Sequence, residues 1–222
     1  MPNTYGHISE PNIVELNDGN LLLIERTPIG TRYLLSNIKD PKIWTNPEKL
    51  CFDNNLKDLP INPADTRNNI MLLPSGNLLY LFNNSRESKR ELLTAAISED
   101  GGKTFPYVLL LDERMHSSYP MADITKDGEI FIIYDQGRSR GSLDTGSEIL
   151  FARITEEDIK QGKLVSPRSC LKRLVSRYGL APNEASFECL FEKLPEKIRE
   201  EYKERRTLED YHELCRILDN NK

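Results

Sequence analysis

The residues best suited to chemistry are a glutamate, a tyrosine and a set of arginines placed at the ends of strand-like segments. Glu10 and Arg26 lie 16 residues apart, on either side of the turn Asn17-Asp18-Gly19. A tight turn brings the two ends of a hairpin together, so a carboxylate and a guanidinium can share one site. By spacing alone, a surface Glu and Arg flanking an ordinary hairpin fits equally well. A second guanidinium comes from Arg90, with Arg86 and Arg67 as rivals; Arg67 stands at a strand start. Tyr119 opens another strand and precedes Pro120, which predicts an extended backbone. Asp135, Arg138 and Arg140 close that strand's hairpin, and Asp123 and Asp135 read either as polar contacts or as turn residues. Clustered arginines suit an acidic ligand, because the guanidinium is always charged and grips a carboxylate with paired donors. His7, His116 and His212 show no metal-ligand spacing, and no metal or cofactor is expected.

The elements that must hold these residues come as an internal repeat. Asn17-Asp18-Gly19-Asn20-Leu21-Leu22-Leu23-Ile24, Pro74-Ser75-Gly76-Asn77-Leu78-Leu79-Tyr80-Leu81-Phe82 and Lys126-Asp127-Gly128-Glu129-Ile130-Phe131-Ile132-Ile133-Tyr134 share one form, a turn with glycine followed by an apolar run. Their glycines are spaced by 57 and 52 residues. Each follows an earlier apolar piece, so each predicts a hairpin. A third strand follows in every copy: Tyr33–Ser36, Leu92–Ile97 and Glu148–Ile154. Repeats of roughly 50 residues built from several short strands are the signature of propeller blades; a β-sandwich of hairpins is the competing arrangement.

Behind the second copy stands Ser98-Glu99-Asp100-Gly101-Gly102-Lys103-Thr104-Phe105. It resembles the Asp-box of sialidases and related BNR-repeat β-propellers, and Asn37-Ile38-Lys39-Asp40 with Trp44 resembles a worn copy. Glu10-Pro11-Asn12-Ile13-Val14-Glu15-Leu16-Asn17-Asp18-Gly19 followed by Arg26 is similar to the sialidase hairpin that supplies two active-site residues. The resemblance covers roughly residues 5 to 165. It implies an all-β fold, a partial six-bladed propeller of about three blades over residues 1–165.

It also implies an exo-α-sialidase-type glycoside hydrolase that removes terminal acidic sugars from glycans. Tyr119 would then be the nucleophile, Glu10 its base, and Arg26 and Arg90, with Arg67 as a rival, the arginines holding the substrate's acid group. Asp135 and Arg138 are further substrate-binding candidates. Sialidases are the tyrosine exception among retaining glycosidases. A sialoside bears a carboxylate on its anomeric carbon, which repels an anionic nucleophile; a neutral phenol avoids this. Where Pro120 stands, the better-known sialidases have serine. The family ring has six blades, so the aspartate acid and the first arginine are expected on blades ahead of Glu10, in an N-terminal half or a second copy. The competing function is a non-catalytic carbohydrate-binding or interaction module.

Composition sets outer bounds. At 222 residues, with 38% hydrophobic and 29% charged residues, the chain reads as globular. A net charge of −5 argues against nucleic acid as partner, and no apolar run suits a membrane span. The start lacks the pattern of a signal peptide, and Cys51, Cys170, Cys189 and Cys215 read as free thiols. From about residue 166 the pattern predicts helices, a C-terminal extension over 166–222. Leu171, Leu174 and Val175 have helical spacing ahead of Gly179, Pro195 suits a helix start, and Thr207–Asp210 can form a capping box before an apolar face of Leu208, Tyr211, Leu214, Cys215 and Leu218.

Overall fold

Each glycine turn of the repeat closes a hairpin, and each hairpin extends into an antiparallel meander. The computed structural model describes residues 8–28, 30–49, 66–85, 89–137, 147–178, 190–205 and 208–220. In the first sheet, β1 (Ser9–Glu15), β2 (Asn20–Thr27), β3 (Gly30–Asn37) and β4 (Asp40–Trp44) pair in that order, and a short β5 (Glu48–Lys49) also pairs β3. The second holds β6 (Asn69–Leu72), β7 (Leu78–Asn83), β8 (Leu93–Ser98) and β9 (Tyr107–Asp112). The third holds β10 (Ser118–Ile124), β11 (Ile130–Gln136), β12 (Ser147–Ile154) and β13 (Cys170–Tyr178). Three successive meanders are the expected blades, and the architecture is that of a partial propeller.

The blades pack through two apolar layers. Leu22 and Ile24 of the first sheet meet Ile70, Leu78, Tyr80 and Phe82 of the second. The other face of the second sheet offers Leu79, Leu81, Ala95 and Ile97 to Ile130, Ile132 and Tyr134 of the third. Every residue of β7 and β8 is therefore buried. Continuous apolar runs, rather than alternation, are what a strand covered on both faces requires.

Turn chemistry ties neighbouring blades at one end. Gly76 has φ 87°, and a Cβ there would sit 2.8 Å from Asn17 Nδ2. That amide donates to the Gly76 carbonyl at 2.8 Å, so the position needs glycine for its backbone and for its neighbour. The Asp-box is a closed knot of side-chain bonds. Asp100 accepts from the Thr104 amide (2.9 Å), the Thr104 hydroxyl (2.6 Å) and the Ser98 hydroxyl (2.8 Å), while Ser98 Oγ accepts from the Gly102 amide. Burial pushes the Asp100 carboxyl up, but the bonds from Thr104 and Ser98 outweigh it and hold the group below its ordinary value. Phe105 plugs the layer beneath, 5.7 Å from the Tyr80 ring.

Residues 170–178 correct the sequence reading. The stretch with Leu171, Leu174 and Val175 is strand β13, not helix. Leu171 packs on the core while Leu174 and Val175 stay over half exposed, so no single helical face is buried. The open edge of β12 wins, because its backbone groups need partners and local spacing is a weak prior.

A short helix, α1 (Glu156–Gln161), precedes that strand where the other blades turn directly. Its buried Asp158 organises the whole connection. The carboxylate accepts from the Thr155 amide (2.7 Å) and hydroxyl (2.9 Å), the Val165 and Ser166 amides (2.6 and 3.1 Å), and the Ser169 hydroxyl (2.5 Å). Thr155 Oγ1 in turn accepts from the Asp158 amide, completing a capping box.

The chain divides into two compact units, residues 1–139 with 147–177, and residues 140–146 with 178–222. The second unit contains α2 (Glu196–Glu201) and α3 (Leu208–Asn220). Leu190, Phe191, Leu194, Tyr202 and Leu214 form its core, with Tyr211, Cys215 and Leu218 packed against them. Arg205 bonds Asp210 at 2.7 Å ahead of the last helix. Gly179, Thr207, Cys51 and Cys189 lie outside the described residues; among the described residues Cys170 and Cys215 form no disulfide.

Replacing Asp158 with alanine is expected to cost about 2–4 kcal/mol, read by chemical denaturation, since several donors lose a charged acceptor at once. The bonds from Ser169, Val165, Ser166 and Thr155 outweigh burial and pull the carboxyl down to about 2. Its contribution is therefore complete above about pH 4 and drains away as the pH falls toward 2. In Asp158→Asn that part of the acid sensitivity disappears.

Candidate active site

The repeat fixes where the chemistry-bearing side chains go. Glu10, Arg67 and Tyr119 are spaced by 57 and 52 residues, as are the three turn glycines, so they hold the same position in successive blades. Two of the three are re-aimed by a bulge. Ser9 pairs Arg26 and Asn12 pairs Ile24, leaving Glu10 and Pro11 opposite one residue. Ser118 pairs Asp135 and Met121 pairs Ile133, so Tyr119 and Pro120 bulge likewise. Glu10 has φ 50° and Tyr119 φ 56°. The extended backbone expected ahead of Pro120 is thus corrected: Tyr119 is left-handed. A bulge deflects a side chain out of the pleat, and a proline there forfeits no ladder bond.

Hydrogen bonds tie the three inner strands beside these positions. Asn69 Nδ2 donates to Asn12 Oδ1 in one neighbour, and Asn69 Oδ1 accepts from the Ala122 amide in the other, both at 3.3 Å. Asn12 Nδ2 also donates to the Asn68 carbonyl at 3.1 Å. Sequence reasoning missed these asparagines; the repeat phase that pairs Asn12 with Asn69 was the available signal.

Five predicted residues come together as a result. Arg26 Nη1 donates to Glu10 Oε2 at 2.8 Å, with both side chains about one-fifth exposed. The Tyr119 hydroxyl is near enough to the same carboxylate to help hold its pKa down. The guanidinium carbons of Arg90 and Arg67 lie 5.0 and 5.7 Å from the Tyr119 ring centroid. Partial burial pushes the Glu10 carboxyl up, but the bonds from Arg26 and Tyr119 and the charges of Arg26 and Arg67 outweigh it, and the net shift is downward. Arg90 Nη1 donates to Ser118 Oγ at 2.8 Å, and Ser118 Oγ is bonded to Asp135 Oδ1 at 2.9 Å. Ser118 was not among the predicted site residues. Asp123 is exposed and accepts from the Ile124 amide beside it. Arg86, Arg138 and Arg140 lie outside the described residues.

This arrangement can pass a proton from a phenol to a carboxylate inside a ring of guanidinium groups. At the opposite, turn-bearing end of the first two sheets, a cavity of about 740 Å³ is lined by Asp18, Tyr33, Glu48, Glu99, Asp100 and Lys103 among others. Two of its acids, Asp18 and Asp100, are taken up by bonds within their own turns.

The profile of the BNR repeat-like domain family matches residues 1–132. Among proteins of curated function no match was found. Solved structures do match. The intramolecular trans-sialidase from Ruminococcus gnavus, in complex with oseltamivir carboxylate, is 22% identical with a TM-score of 0.54, over 74% of this chain and 35% of that one. The Hadza microbial sialidase Hz136 is 21% identical with a TM-score of 0.48, over 57% and 25%. The α-L-arabinanase of Penicillium chrysogenum complexed with arabinobiose is 16% identical with a TM-score of 0.49, over 78% and 50%. This chain thus spans about a quarter to a third of the two sialidase chains. The first of these likenesses establishes a shared propeller fold.

Carboxyl NMR is expected to place the Glu10 midpoint below the ordinary value of 4.5. In Arg26→Leu the midpoint should rise, because burial persists while the strongest favourable partner is gone. An unchanged midpoint would mean that the Arg26 contact does not govern this carboxylate in solution.

Proposed function

We propose that this chain, which belongs to the BNR repeat-like domain family, supplies the nucleophile, its base and the anion-binding arginines of a sialidase-type glycoside hydrolase. The observation carrying this reading is the gathering of Glu10, which Arg26 holds and whose carboxyl the Tyr119 hydroxyl helps to keep low, with Arg67 and Arg90 beside the Tyr119 ring.

In this reading the acidic sugar enters with its carboxylate toward Arg26, Arg67 and Arg90. The guanidinium forks fix it and offset its repulsion of electron-rich groups. Tyr119 Oη attacks the anomeric carbon as the glycosidic bond breaks, and its proton passes to Glu10. The departing oxygen takes its proton from an acid that the family resemblance assigns to an aspartate ahead of Glu10 in the ring. Water then attacks the same carbon, giving its proton to that aspartate; the Tyr119–sugar bond breaks as Glu10 returns the proton to Tyr119 Oη, and the sugar leaves with retained configuration. Glu10 and the Tyr119 hydroxyl are neighbours before substrate arrives, so base and nucleophile need not be brought together from afar.

The test is turnover of a fluorogenic sialoside by the full-length protein beside its Tyr119→Phe variant. The variant should lose at least about a thousandfold in kcat/KM, since the nucleophile cannot be replaced by a ring lacking oxygen. Binding of the sugar with equal, background turnover in both proteins would instead identify a non-catalytic carbohydrate-binding module.

A further inference from the structure

We infer that Ser118 and Asp135 are positioning residues for the substrate's acid group, acting through Arg90. This rests on reading the site as one for an acidic sugar. It goes further by assigning work to two side chains that a ligand does not reach: Ser118 is 0% exposed and Asp135 6%.

The directions of the bonds are forced. Arg90 Nη1 can only donate, and the Asp135 carboxylate can only accept. The single hydroxyl between them, 2.8 Å from one and 2.9 Å from the other, must accept from Arg90 and donate to Asp135. A hydroxyl rotor normally has a choice; here it has none. The strand pairing supports this, because Ser118 and Asp135 are register partners on β10 and β11. Arg90 is anchored at its other end too, as its carbonyl accepts from the His116 amide at 2.5 Å.

The contrast with Arg26 gives the relay its purpose. Arg26 touches the Glu10 carboxylate directly, so much of its charge is answered within the protein. Arg90 is oriented by a neutral hydroxyl, with the carboxylate held one bond further away. Its direction is fixed while its positive charge remains for an incoming anion. Ser118 also opens the bulge that turns Tyr119, so one residue sets the placement of both the phenol and this guanidinium.

The experiment compares wild type, Ser118→Ala and Ser118→Thr in the full-length protein by two readouts. The first, without ligand, is nitrogen-detected NMR of the Arg90 guanidinium. Restricted rotation is expected in wild type, free rotation in Ser118→Ala, and restriction again in Ser118→Thr. The second is binding of the α-methyl glycoside of N-acetylneuraminic acid against its carboxyl-reduced counterpart. Ser118→Ala should weaken the acid about ten- to a hundredfold and the reduced sugar little, as a bond to a charged group is lost. If Ser118→Ala does not fold, Asp135→Asn takes its place, with a smaller loss in the same direction. Full acid preference in the variant would leave the substrate reading intact and overturn the positioning role. A wild type that binds both sugars alike would overturn the substrate reading, and this role with it.

Discussion

Asn69 reaches both ways along the inner edge of the fold, to Asn12 in one blade and to the Ala122 amide in the next. At 3.3 Å each these bonds are long, and neither is strong alone. Their effect comes from the packing beside them. The middle sheet is dry on both faces, with Leu78, Tyr80 and Phe82 against one neighbour and Leu79 and Leu81 against the other. A close-packed interior resists sliding, and a one-residue slip would turn every side chain to the wrong face. The inner strands are therefore locked in phase. A sequence spacing of 57 and 52 residues becomes a spatial meeting of Glu10, Arg67 and Tyr119.

What gathers there is a local excess of positive charge in a protein whose net charge is −5. At physiological ionic strength the screening length is about 8 Å, so the distant carboxylates hardly register inside the site. The charges that count are the near ones among the described residues: Arg26, Arg67 and Arg90, with Glu10 bonded to Arg26 and Asp135 one hydroxyl behind Arg90. Three guanidinium groups against two carboxylates leave this set of residues positive. That balance follows from side-chain contacts and could not be taken from composition.

The parts of the fold that repeat are legible in the residues themselves. Glycine turns, apolar runs and the Ser98–Phe105 box each have a local physical cause, and together they spell out three meanders. The pairing of Glu10 with Arg26 is legible for the same reason, since a hairpin joins its own ends. What stays hidden depends on contacts between elements. Cys170–Tyr178 has helical spacing and becomes a strand because β12 presents an unpaired edge. Pro120 promises extended backbone at Tyr119, and the bulge sends it left-handed instead, as the matching bulge does Glu10. Ser118 looks like an ordinary strand serine until Arg90, 28 residues earlier, arrives beside it.

The two ends of each blade divide stability from function. At the turn end, Asn17 on Gly76 and the bonds of Asp100 hold favourable geometry, with donors and acceptors matched. At the other end, Glu10, Leu92, His116 and Tyr119 are non-glycine residues with positive φ, at a cost of about 1–3 kcal/mol each. Such strain persists only where the surroundings impose it, and the two strained residues within bulges, Glu10 and Tyr119, are followed by proline. Proline has no amide hydrogen to leave unbonded in the bulge, and it limits the conformations open to the unfolded chain. The middle blade shows the alternative. There Asn68 stands in the proline's position, its side-chain amide bonded to Thr31 at 3.2 Å, and Arg67 keeps a negative φ. The bulge with proline thus occurs at Glu10 and at Tyr119, whose hydroxyl helps to hold the Glu10 carboxyl low. It is absent at Arg67, whose charge acts on Glu10 and on the Tyr119 ring from a distance and needs no such aim.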